Sequence, residues 1–175
     1  MVNPDGEDAG QEWIELYNPT PDQVDLSGWH VGDVGPGGEY GSGLYRFPPG
    51  ATLVPEGVIV LAQQAADVPF VPDYKFLIDA NRGDAAVPDM VPIGAWDGFG
   101  LALGNPGDEV LLLDVDQAPV DVLTYGERAY PGVVPHPGGR DEGHSLERQP
   151  PRQDTDDCSR DFFDRYPPTP GEMTD

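Results

Sequence analysis

The sequence predicts an all-β fold: two packed antiparallel sheets built from seven to nine short strands, with long Gly/Pro-rich loops between them. Three observations carry this. Short apolar, β-branched runs recur along the 175 residues. The 23 Gly and 21 Pro punctuate those runs instead of pooling in one tract, which marks turns. No stretch sustains the 3.6-residue apolar period of an amphipathic helix. A chain of this size buries enough surface for one core, so residues 1–175 read as a single domain.

Glu12–Tyr17 alternates, with Ile14 and Leu16 on one face and Trp13, Glu15 and Tyr17 on the other. Asn18-Pro19-Thr20-Pro21-Asp22 turns the chain, because Pro fixes φ and removes a ladder donor. Val24–Leu26 opens the next strand and Trp29–Val31 continues it. Gly32–Gly43 reads as a Gly-rich loop, Leu44–Phe47 as a strand closed by Pro48-Pro49-Gly50, and Thr52–Val54 as a further strand. Val58–Ala62 is continuously apolar and short, the pattern of a central strand covered on both faces. Gln63–Gly98 is an irregular excursion with a short strand at Tyr74–Ile78. Leu101–Leu103 restores regularity. A hairpin of Glu109–Asp114 and Val120–Tyr125 follows, with Val110, Leu112, Val120 and Val122 as the alternating apolar positions. After the loop Glu127–Gly143, His144–Glu147 is the last clear strand, and the aromatics Phe162, Phe163 and Tyr166 imply a tail that packs back. Trp29, Leu61, Leu112 and Val122 are expected in the core.

The chain carries 32 acidic and 9 basic side chains. Residues 1–127 hold 22 of the acids and three bases, Arg46, Lys75 and Arg82. Nucleic-acid backbones are bound by neutralising phosphates with Lys and Arg, so this surface argues against DNA, RNA and anionic lipid as partners. No apolar run approaches membrane-spanning length. Cys158, the only cysteine, sits in the acidic run Asp154-Thr155-Asp156-Asp157; neighbouring negative charge disfavours the thiolate, which argues against a nucleophilic role.

The order and spacing of several short pieces resemble the lamin-tail (intermediate-filament tail) domain family in its prokaryotic form. The pieces are Asn3-Pro4, Trp13-Ile14-Glu15-Leu16-Tyr17-Asn18, Leu26-Ser27-Gly28-Trp29, Leu53-Val54-Pro55-Glu56-Gly57, Gly107–Leu112, Thr124-Tyr125-Gly126, Ser145-Leu146-Glu147-Arg148 and Pro168-Thr169-Pro170-Gly171. Within them Trp13, Glu15, Asn18, Leu26, Gly28, Trp29, Leu146 and Arg148 are the signature positions. The resemblance implies an immunoglobulin-like β-sandwich and a non-catalytic interaction or accessory module, cut from a larger exported or cell-surface polypeptide and binding a protein or glycan. Members usually carry an apolar strand before the Asn-Pro step. Here either the chain is a fragment of a longer polypeptide, or that strand is missing and leaves an open sheet edge, which invites strand pairing by the missing segment or by a partner.

The residues suggest little chemistry. His30, His136 and His144 are the only histidines, and none has zinc-motif spacing. No Gly-x-Ser-x-Gly elbow raises the prior for a serine triad. Calcium is the sharpest cofactor hypothesis, because the loops around Asn3, Asp5, Glu7 and Asp8 and around Asp154, Asp156 and Asp157 are dense in oxygen donors. Solvated acidic loops are the plainer reading, and no cofactor is then needed. The alternative function is therefore a calcium-binding or metal-dependent hydrolase-associated domain with ligands in those loops. Tyr40, Tyr45, Trp96 and Phe99 are candidates for an aromatic glycan platform, against the plainer reading that they pack beneath the loops. Arg148 is expected to pair with Glu15 or Asp154.

Overall fold

A computed structural model describes residues 4, 6, 10–33, 43–76, 85–93, 101–138 and 141–173. Its elements run β1 (Trp13–Tyr17), β2 (Val24–Asp25), β3 (His30–Asp33), β4 (Gly43–Arg46), β5 (Thr52–Leu53), β6 (Val58–Ala62), β7 (Tyr74–Lys75), β8 (Val91–Ile93), β9 (Gly107–Leu113), β10 (Pro119–Gly126), β11 (Ser145–Arg148), α1 (Cys158–Asp161) and β12 (Phe162–Arg165). The described residues are all-β apart from the single turn of α1, and three of the strands are only two residues long. One main sheet has the order β1-β6-β7 and the other β10-β9-β3-β4-β8; β11-β12 and β2-β5 form two-stranded pairs. Pairing is antiparallel throughout the named strands except between β6 and β7.

The alternation in β1 fixes its faces. Ile14 and Leu16 pack into the main core with Ile59 and Leu61 of β6, while Trp13 lies on the opposite face with Val60 and Ala62. β6 is thus covered on both sides, as its unbroken apolar run predicts. The main core is completed from the second sheet and its loops by Val31, Tyr45, Phe47, Leu103 and Tyr125. Tyr45 and Phe76 meet edge to face, with centroids 5.0 Å apart.

The hairpin needs a correction. Leu61 is fully buried, but Trp29, Leu112 and Val122 are only half-buried, and Val120 is exposed. The most buried apolar positions of β9 are Leu111 and Leu113, which join Leu44 in a separate cluster on the outer face of the five-stranded sheet. Val110 and Leu112 face the main core from the other side. Period-two reasoning assumes one wet face; β9 has none, so both sets of alternate residues are apolar.

Leu101–Leu103 is a second correction. Both leucines are buried, but the segment is irregular where the sequence predicts regular structure. Side chains replace the ladder. Leu103 N–H donates to both Glu12 carboxylate oxygens at 3.0 Å, and Gln63 Nε2 donates to Leu101 C=O at 2.5 Å. Backbone groups in a buried segment must be paired, and polar side chains serve here as well as a strand would.

Candidate functional site: a groove beside an edge strand

The signature positions build the turns that aim β1. Asn18 is buried, and its amide donates to the C=O groups of Asp22, Leu53 and Val54 at 2.8, 3.1 and 3.2 Å. Its Oδ1 accepts from Thr20 N–H at 3.0 Å and from Thr20 Oγ1 at 2.7 Å. One side chain therefore pins the Pro-rich turn to the β5 end. Leu26 is a core residue, and Gly28 adopts φ +82, a left-handed conformation that favours glycine. Gly28 N–H bonds Phe47 C=O at 3.3 Å, and Trp29 packs partly buried against the core.

Beside β1 lies a groove of about 370 Å³. Its floor is apolar: Leu16, Leu103, Val110, Leu112, Leu123 and Leu146. β11 and the segments 151–154 and 169–173 supply its remaining walls. Among the described residues, β6 is the strand that pairs with β1, and no strand pairs with its other edge. Glu15 accepts from Gly171 N–H at 2.7 Å, which ties the tail beside that edge. Burial pushes the Glu15 carboxyl up despite this bond.

Arg148 forms the polar end of the groove. Its Nη2 donates to Asp121 Oδ1 and Oδ2 at 2.6 and 2.8 Å. Its Nη1 lies 3.0 Å from Asp154 Oδ1, 3.0 Å from Gln153 C=O and 3.8 Å from Asp161 Oδ2. The guanidinium also stands 4.5 Å over the Phe162 ring. Burial works against its charge, but Asp121 and Asp154 more than offset that and raise its pKa. Burial likewise opposes ionisation of Asp161, yet hydrogen bonds from Thr155 and Gln153 and the charge of Arg148 hold it below the ordinary value. Asp121 goes the other way: burial raises it against the pull of Arg148. The expected pairing of Arg148 with Asp154 is present. Glu15 is engaged by Gly171 instead, and Asp121 and Asp161 were not visible as partners because sequence distance hides them.

The other predicted sites scatter. Asn3, Asp5, Glu7 and Asp8 lie outside the described residues. Asp154 is held by Arg148, Asp157 caps α1 by accepting from Ser159 N–H at 3.2 Å, and Asp156 is exposed at φ +56. Tyr45 is in the core and cannot serve a surface platform; Tyr40, Trp96 and Phe99 lie outside the described residues. His30 Nδ1 is 3.1 Å from Asp114 C=O, and His144 pairs with Asp164 at 2.6 Å while stacking on Tyr166. Cys158 is buried, with Sγ 3.6 Å from Val122 C=O, and burial pushes its thiol pKa up. A raised, buried thiol is a poor nucleophile. No described helix is long and apolar enough to cross a membrane.

The groove thus offers apolar area, a strand edge that no described strand pairs and a saturated ion-pair knot: the equipment of a binding surface. No curated protein matches the sequence. The family model for the Lamin Tail Domain matches residues 1–127, which contain β1 to β10 and the turns built by Asn18 and Gly28; β11, α1 and β12 follow the matched stretch. The chain belongs to the lamin tail domain family, whose immunoglobulin-like domains are generally non-catalytic interaction modules.

Proposed function

We propose that this domain is the non-catalytic interaction module of a larger exported or surface polypeptide, and that it takes an extended segment of a protein partner along β1. The observation that carries the reading is the apolar groove beside a strand edge that no described strand pairs. An edge strand presents backbone donors and acceptors to an incoming strand, and adjacent pockets receive its alternate side chains. A 23-unit excess of negative charge favours a neutral or basic segment and disfavours nucleic acid. A glycan is the competing partner, and the same experiment separates the two.

Peptides selected from a random display library are titrated into isotopically labelled protein while a glycan array is probed in parallel. The expected peptides alternate apolar residues and perturb the amides of Trp13–Tyr17 and Leu146. Leu146→Asp, which places a charge in the floor, weakens them at least about tenfold. Glycan binding with no such peptides, or perturbation confined to loops away from β1, overturns the reading.

A further inference from the structure

A second cluster of acids lies inside the protein, away from the groove and from the acidic loops. Asp33 closes β3, and Asp108 and Glu109 stand near the start of β9. The antiparallel register that sets Gly32 opposite Leu111 brings these strand ends together. Asp33 is 3% exposed, Asp108 5% and Glu109 1%. One carboxylate oxygen from each lies within 4.8 Å of the others. Gly107 makes the approach possible. A Cβ there would come within 2.3 Å of Glu127 N and 3.0 Å of Arg128 N, so only glycine lets the end of β10 lie this close and place Arg128 over the cluster.

Among the described residues, Arg128 is the cation paired with Asp108 and Glu109. Its Nε is hydrogen-bonded to Glu109 Oε2 and lies 3.8 Å from Asp108 Oδ1. The second oxygen of Glu109, Oε1, is buried and has no hydrogen-bond partner. A buried carboxylate oxygen left unpaired is costly, because it gives up water and receives nothing in return. Asp108 is held in place by its neighbours: Gly104 N–H donates to Oδ2 at 2.5 Å and Glu109 N–H to Oδ1 at 3.0 Å.

We propose that Asp33, Asp108 and Glu109 form an interior binding site for one calcium-sized divalent cation, with the unpartnered Glu109 oxygen as a ligand. Hard divalent ions take carboxylate oxygens. Two oxygens bound to one calcium ion lie at most about 5 Å apart, which the cluster satisfies. Arg128 keeps its bond to the other Glu109 oxygen and walls the site on its solvent side, where its side chain is 36% exposed. Burial pushes the Glu109 carboxyl up even against Arg128. This site is independent of the groove, and its failure would leave the peptide-binding reading intact.

The test is calorimetric titration of chelator-treated protein with calcium chloride, with magnesium and manganese as parallel arms. One saturable calcium site and a rise in Tm are expected. Glu109→Gln, which keeps the shape and removes the charge, weakens binding at least about tenfold. The Asp156→Asn variant, in the exposed acidic loop, binds like the parent. In the unaltered protein, manganese broadens the amide resonances of His30–Asp33 and Gly107–Leu111, a readout that needs no variant to fold. Absence of heat and of any Tm change up to about 10 mM calcium, beyond the weakest extracellular calcium sites, overturns the proposal. So does unchanged affinity in Glu109→Gln, or broadening confined to residues 154–157 or 141–164.

Discussion

Arg148 and Arg128 each face three carboxylates, yet the two clusters are different objects. Around Arg148 the accounts close. Asp121 takes both donors from one nitrogen, Asp154 and Gln153 take the other, and Asp161 is satisfied by Thr155 N–H at 2.7 Å and Thr155 Oγ1 at 2.9 Å. Around Arg128 they do not close, because Glu109 keeps a buried oxygen with no partner. Counting charges would rank the two alike. Following each lone pair separates a structural knot from a site with a place for a ligand.

The comparison can be pressed hardest at Arg148. Arg148→Met removes the shared cation and leaves the charge of Asp161, which is 1% exposed, held by the Thr155 and Gln153 hydrogen bonds without Arg148. A loss of about 3–5 kcal/mol is expected in urea unfolding, since breaking a buried pair from one side costs that much. A loss below about 1 kcal/mol would show that solvent carries the knot.

A smaller effect is expected at Asp161 itself. Asp161→Asn keeps the shape but weakens the hydrogen bonds from Thr155 and Gln153, at a cost of about 1–3 kcal/mol. The pH dependence has a definite sign. The folded-state pKa of Asp161 is depressed, so its contribution is present above the unfolded carboxylate value near 3.9 and is lost as pH falls through the depressed folded value. In Asp161→Asn that acid-side loss should shrink; an unchanged acid limb would assign it to other carboxylates.

The third test reverses the sign. The folded-state pKa of Glu109 is raised, so its stabilising contribution is complete below the unfolded value near 4.3 and is lost as pH rises through the folded one. In metal-free protein at neutral pH, Glu109→Gln is therefore expected to raise Tm modestly, where the same type of substitution at Asp161 lowers it. A fall in Tm would mean that the Arg128 pair outweighs the burial of the charge.

Much of the fold was legible. The uncovered-versus-covered logic placed β1 and β6 correctly, because alternation and unbroken apolarity report on one and two buried faces. β8 was missed because Pro92 lies inside it, and Pro argues against a strand unless its missing donor faces away from the ladder. β12 was missed because Phe162-Phe163-Asp164-Arg165 has no alternation, and its strand character comes from pairing with β11. At the sites, Asp154 was legible as a partner of Arg148 because it lies six residues on. Asp33, Asp108 and Glu109 were not legible as a cluster, since strand register, not spacing, brings them together. Asn18 looked like a turn residue, and its five hydrogen bonds were invisible until Leu53 and Val54 were set beside it.

Cys158 gives the molecule a built-in reporter. As the chain's single thiol, tucked at the start of α1 beneath Val122, it meets an alkylating reagent only when that turn detaches from β10. The labelling rate therefore measures local opening in the C-terminal third, without any probe being engineered in. Because the same turn ends on Asp161, the clock should run faster whenever the Arg148 contacts loosen.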